Sequence, residues 1–75
     1  MDEKIIACAA EVLRISTQEA AAHCKPVPEI NGWYFWNPAR GGFSMFIDRD
    51  GEKLAATSGI SYEKHLQAFL SGKRN

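Results

Sequence analysis

The chain predicts a small α+β domain: an N-terminal helix or two short helices, a three-stranded antiparallel β-meander, and a C-terminal helix. Three observations carry this. Apolar residues recur at helical spacing near both ends of the 75 residues, four consecutive aromatics stand in the middle, and an Asp-Gly pair sits between two short apolar runs. The expected division is helical to residue 24, connector over 25–32, meander over 33–58 and helix over 61–72.

In the first segment, Ile5, Ile6, Ala9, Val12 and Leu13 fall on one helical face. Asp2 can cap the free amides of the first turn, and Glu3 suits the positive helix end. Ser16-Thr17-Gln18-Glu19 has the form of a capping box, a hydroxyl followed three residues on by a carboxylate. It opens a second helix over 17–24, or the first helix runs on to about Cys24; the break near Leu13 is favoured.

Pro26 and Pro28 disrupt regular structure, because proline lacks the amide donor and biases its predecessor toward extended geometry. Lys25–Gly32 is therefore expected to be a connector. Trp33-Tyr34-Phe35-Trp36 reads as a strand by propensity, and Asn37–Gly42 is turn chemistry. Phe43–Asp48 and Glu52–Thr57 read as the other two strands, joined by Asp50-Gly51, which fits a two-residue type I′ turn. Ser61 caps the last helix, whose apolar stripe is Tyr62, Leu66, Phe69 and Leu70, with Gly72 closing it. Lys73-Arg74-Asn75 is expected to fray.

The type I′ turn implies a register. It pairs Asp48 with Lys53, Ile47 with Leu54, Phe46 with Ala55 and Met45 with Ala56. One face is then Phe43, Met45, Ile47, Leu54 and Ala56, which the helices should cover. The other is polar except for Phe46, with Asp48 and Lys53 as a wet cross-strand pair. Two of the four aromatics of residues 33–36 must lie beside Phe46, since side chains alternate. The Asn37–Gly42 loop leaves open which two; Tyr34 and Trp36 are chosen because a tyrosine hydroxyl prefers a wet edge. Either the 17–24 helix covers this second face or the face is an exposed apolar patch of the kind that marks an interaction site.

Composition narrows the functional classes. Nine basic and nine acidic residues give zero formal net charge, with residues 1–31 at −2 and 32–75 at +2. Clustered cationic charge, the main source of phosphate affinity, is missing. No apolar run reaches the roughly 18–20 residues of a membrane span, and the acidic start is unlike a secretory leader, so a cytoplasmic location is expected. Cys8 and Cys24 are too few for a disulfide framework and read as reduced thiols, a single bridge being the alternative. His23, Cys24, Cys8 and His65 lack metal-ligand spacing, and no nucleophile–base or phosphate-loop motif is present, so neither metal, cofactor nor catalysis is expected. Asp48-Arg49-Asp50-Gly51 lacks the later ligands of a calcium loop.

Two local resemblances concern nucleic acid. Ser16-Thr17-Gln18-Glu19-Ala20-Ala21 resembles the opening of the first helix in excisionase-type or MerR-like helix-turn-helix domains, but Lys25-Pro26-Val27-Pro28 stands where a recognition helix is needed. Arg40–Ile47 is similar to the aromatic third strand of RNA-recognition motifs, without their aromatic spacing or βαβ order. The reading that results is a non-catalytic protein-interaction or accessory module using an aromatic sheet face, in which Tyr34, Trp36, Arg40 and Phe46 contact a protein partner or a second copy in a homodimer. The alternative is single-stranded nucleic-acid binding by aromatic stacking with nearby arginines.

Overall fold

The computed structural model describes residues 2–39, 42–57 and 59–75. Two helices, α1 (Glu3–Leu13) and α2 (Thr17–Ala22), precede four strands, β1 (Cys24–Val27), β2 (Gly32–Trp36), β3 (Phe43–Asp48) and β4 (Lys53–Thr57), and a last helix, α3 (Tyr62–Leu70), with a 3-10 turn at Pro28–Ile30. The strands form one antiparallel sheet in the order β1-β2-β3-β4. The α+β class and the helix at each end are as expected; the sheet has four strands rather than three.

Capping residues set the helix ends. The Asp2 carboxylate accepts from the Lys4 amide at 2.9 Å, and Ser16 Oγ from the Glu19 amide at 3.0 Å. Between them Arg14 takes a left-handed conformation (φ 58°), which breaks the chain into two helices. Ser61 Oγ accepts from the Lys64 amide at 3.2 Å to start α3. At its other end the Gly72 amide donates to Phe69 and the Lys73 amide to Ala68, each at 3.1 Å, a Schellman closure.

The first part of the expected connector, 25–27, belongs to an edge strand, β1, and Pro28–Ile30 forms the 3-10 turn that leads into β2. The Trp36 amide donates to the His23 carbonyl at 3.1 Å, and the antiparallel alternation that follows points the Pro26 nitrogen away from β2. Proline costs no ladder bond in that position, so it marks an edge here and not an interruption.

The expected β3–β4 register is off by one residue. Phe46 pairs with Leu54, Met45 with Ala55 and Ile47 with Lys53. The turn spans Arg49-Asp50-Gly51: the Gly51 amide donates to Asp48 at 3.1 Å, Gly51 is left-handed (φ 87°), and the Asp48 amide donates to Glu52 at 3.0 Å. This is a type I turn closed by a glycine bulge, which uses Asp-Gly differently from a type I′ turn. Asp48 Oδ1 accepts from the Asp50 and Glu52 amides at 2.9 and 3.0 Å, so Asp48 builds the turn and does not pair with Lys53. A one-residue slip exchanges the faces of a strand. Leu54 accordingly joins Phe46, and Ala55 joins Met45.

Both faces of the sheet are covered, by different helices. On one, Ile5, Ala9, Ala10 and Leu13 of α1 and Ala20 of α2 bury Phe35, Met45 and Ile47. On the other, Leu66 and Phe69 of α3 close over Phe46, with Val27 and Ile30 beside them. The expectation that α2 covers Phe46, or that nothing does, is thereby corrected: α3 does, and Phe46 is 0% exposed. The apolar stripe of α3 includes Tyr62, Leu66 and Phe69 but not Leu70, which is 48% exposed.

The C-terminal residues do not fray. Arg74 Nη1 donates to the Phe69 carbonyl at 2.7 Å, its guanidinium lies 3.7 Å from the Phe69 ring centroid, and Asn75 bonds to β4.

Candidate functional site

Alternation along β2 sends Trp33 and Phe35 toward α1, and Tyr34 and Trp36 toward the α3 face, where Tyr34 pairs with Phe46 and Trp36 with Ser44. The choice of Tyr34 and Trp36 as the residues beside Phe46 therefore agrees with the geometry. Because α3 packs against Phe46 and Leu54, it sits over the β3–β4 half of this face and leaves the β1–β2 half partly open.

A row of aromatic rings occupies the open half. Trp36 and Tyr34 stack with centroids 5.7 Å apart and planes 26° from parallel. Tyr62, at the start of α3, meets Tyr34 edge-on at 4.9 Å. His23 meets Trp36 edge-on at 5.8 Å, with its Nδ1 donating to the Glu19 carbonyl at 2.9 Å. Lys25 pairs with Tyr34 across the ladder, and its Nζ lies 4.1 Å from the Tyr62 ring centroid and 5.9 Å from that of Tyr34. The ammonium thus rests on the electron-rich faces of these rings, a contact worth about 0.5–1 kcal/mol when exposed. Tyr34, Trp36 and Tyr62 are half-buried and Lys25 is exposed.

Of the expected contact residues, Tyr34 and Trp36 lie together at the surface. Phe46 is the floor beneath them, 4.7 Å from the Tyr34 centroid and closed off by α3, so it supports the row and does not touch solvent. Arg40 lies outside the described residues. Sequence reasoning missed Lys25 and His23 because residues 24–27 did not read as a strand, and Tyr62 because α3 was placed on the other face.

Under α3 lies one buried polar arrangement. His65 is 1% exposed and Ser44 8%. His65 Nε2–H donates to the Leu54 carbonyl at 2.8 Å, which leaves Nδ1 to accept from the Ser44 hydroxyl at 3.3 Å. Burial pushes the imidazole pKa below its ordinary value, partly offset by the Leu54 carbonyl, so the ring is neutral at pH 7. A hydroxyl, an imidazole and an orienting acceptor are the parts of a nucleophile–base pair. Here they tie β3, β4 and α3 together, and the surface hollows around α1, α2 and the Trp33–Arg49 corner are lined by other residues. The signal for this burial was present at His65, which stands three residues after Tyr62 and four before Phe69.

Cys8 and Cys24 are both free thiols, and burial pushes the Cys24 thiol up, away from the thiolate form that nucleophiles and metal ligands need. Among the described residues, no group of three or more His, Cys, Asp or Glu side chains is placed to hold a metal ion. Among the described residues, no helix is long and apolar enough to cross a membrane. An open groove of about 470 Å³ runs between α1 and α2, lined by Ile6, Ala7 and Ala21 with Glu3, Thr17 and Gln18.

Comparison with protein-family models, curated proteins and solved structures finds no match to this chain.

Proposed function

We propose that the chain is a small, non-catalytic interaction module that holds a protein partner against the row formed by Trp36, Tyr34 and Tyr62, with Lys25 at its rim. The observation that carries this is the incomplete cover of one sheet face: α3 buries Phe46 and leaves the adjoining Tyr34 and Trp36 half-open and stacked at 5.7 Å. Rigid aromatics lose little side-chain entropy on contact, which is why tryptophan and tyrosine dominate interface centres. The same rings could stack single-stranded bases. The zero net charge favours a protein over a polyphosphate, which draws its affinity from clustered cations.

The test uses Tyr34→Ala and Trp36→Ala, each checked for folding by circular dichroism. Loss of a partner held by the wild-type chain, with folding intact, supports the reading. Retention of every partner by both variants contradicts it. Quenching of Trp36 by a single-stranded oligonucleotide at moderate salt, in a Trp33→Phe background that leaves one reporter, would replace the protein partner with nucleic acid.

A further inference from the structure

A different surface, the outer edge of β4, carries a second inference. The Asp48–Glu52 hydrogen-bonded pair fixes the alternation along β3 and β4, so Lys53, Ala55 and Thr57 turn their backbone groups outward, away from β3. Such a row is a template for another strand. In this molecule Asn75 occupies it. The Asn75 amide donates to the Lys53 carbonyl at 3.0 Å, Nδ2 donates to the Ala55 carbonyl at 3.0 Å, and Oδ1 accepts from the Ala55 amide at 3.0 Å. Lys53 Nζ donates in return to the Asn75 carbonyl at 2.7 Å. The asparagine side chain thus pairs with Ala55 as the peptide group of a neighbouring strand would. Arg74 holds the tail in place through the Phe69 carbonyl and ring and through Glu52 at 3.5 Å.

We infer that the β4 edge is a self-pairing surface, that its occupant is β4 of a second copy, and that Asn75 is the internal cap that competes with it. Three features favour a second copy. First, antiparallel pairing about Ala55 is self-complementary: Ala55 meets Ala55, Lys53 meets Thr57 and Leu54 meets Ala56, so no like charges stand opposite one another. Second, the backbone hydrogen bonds nearly balance. Two copies surrender the six that Asn75 makes to the backbone groups of Lys53 and Ala55, along with the Lys53 Nζ contacts, and gain six through Lys53, Ala55 and Thr57, whose carbonyl already accepts from the Ile60 amide at 3.3 Å. Third, Ala55 and Ala56 present little bulk on either face of the sheet to crowd the side chains of an added strand. With the bonds this close to matched, the outcome is set by local concentration. A tethered competitor acts at an effective concentration on the order of mM, so the capped monomer dominates in dilute solution.

The experiment is analytical ultracentrifugation of wild type and Asn75→Ala over a concentration series, with amide exchange at Ala55 read on the same samples. Removing the cap's two side-chain bonds is expected to strengthen self-association at least about tenfold. The Ala55 amide should then be protected only at high concentration in Asn75→Ala, and at every concentration in wild type. Adding Ala55→Pro, which removes the outward donor, should restore the monomer. A folded Asn75→Ala that stays monomeric with Ala55 exchanging freely throughout overturns the inference. So does association that survives Ala55→Pro, or an edge that binds unrelated extended peptides but not a second copy. The Tyr34→Ala and Trp36→Ala variants leave this edge intact and should self-associate as wild type does, which separates failure here from failure of the aromatic-row proposal.

Discussion

His65 stands edge-on to Phe46, their ring centroids 4.7 Å apart and their planes 85° to one another. This contact joins α3 to β3 where the helix closes the second face of the sheet. The imidazole spends both nitrogens inside the protein, on Leu54 and Ser44, and so presents its apolar edges to the aromatic cluster.

Stability should therefore decline on mild acidification. The folded-state pKa of His65 is depressed by burial, so the unfolded chain takes up the proton first. Above the unfolded value of about 6.5 the group is neutral in both states and contributes no pH dependence. As pH falls below that value stability drops, and the drop ends once the folded form also protonates. Denaturant midpoints measured from pH 8 to pH 5 should show this slope in wild type and lose it in His65→Gln.

Phe46→Ala should be severe. Truncating a buried phenylalanine costs about 3–5 kcal/mol. Small domains have only about 5–15 kcal/mol in total, so most of the stability goes. Urea unfolding should show a large fall in midpoint or no folded baseline, whereas Leu70→Ala, on an exposed position of α3, should stay within about 0.5 kcal/mol of wild type.

Gly32→Ala should destabilise the fold although no side chain is lost. A Cβ at Gly32 would lie 2.1 Å from the Ile47 carbonyl oxygen and 2.6 Å from Asp48 Cα. Both are backbone atoms of the paired strand, so the clash is relieved only by parting β2 from β3. A cost of about 1–3 kcal/mol or more is expected, read as a lowered melting temperature with faster amide exchange along β2 and β3.

Asn37→Ala should loosen the junction between helix and sheet. Asn37 Nδ2 donates to the Leu13 carbonyl at the end of α1 at 2.9 Å, while Oδ1 accepts from the Ala39 amide at 2.8 Å. Losing both should cost about 1–3 kcal/mol. Asn37→Asp, which keeps the acceptor for Ala39 but sets a carboxylate oxygen against the Leu13 carbonyl, should recover none of that in the same melting assay.

What could be read from the sequence was local. Asp2, Ser16 and Ser61 are short polar side chains beside apolar periodic runs, and each one caps the helix that follows it. The Trp33–Trp36 run had too much aromatic bulk to be a loop. What escaped depended on pairing. Pro26 argues against a strand unless it is known to lie at an edge, and only the fold says so. Asp50-Gly51 suits two turns that differ by one residue in register, and the difference decides whether Leu54 packs with Met45 or with Phe46. With Leu54 assigned to the first face, α3 is expected there too, which leaves the second face to the 17–24 helix or to a partner, whereas α3 covers it. Tyr34 and Trp36 do lie on the Phe46 face: alternation within β2 keeps the two together, and the preference of a tyrosine hydroxyl for a wet edge selects them over Trp33 and Phe35.

Helix α3, and not α2, lies over Phe46. A nuclear Overhauser spectrum of the ring protons of Phe46 tests this directly. Cross-peaks to His65, Tyr62 and Phe69 are expected, with centroid separations of 4.7, 5.3 and 6.1 Å. Cross-peaks instead to Ala20 or Ala21 of α2, or none to α3, would contradict it.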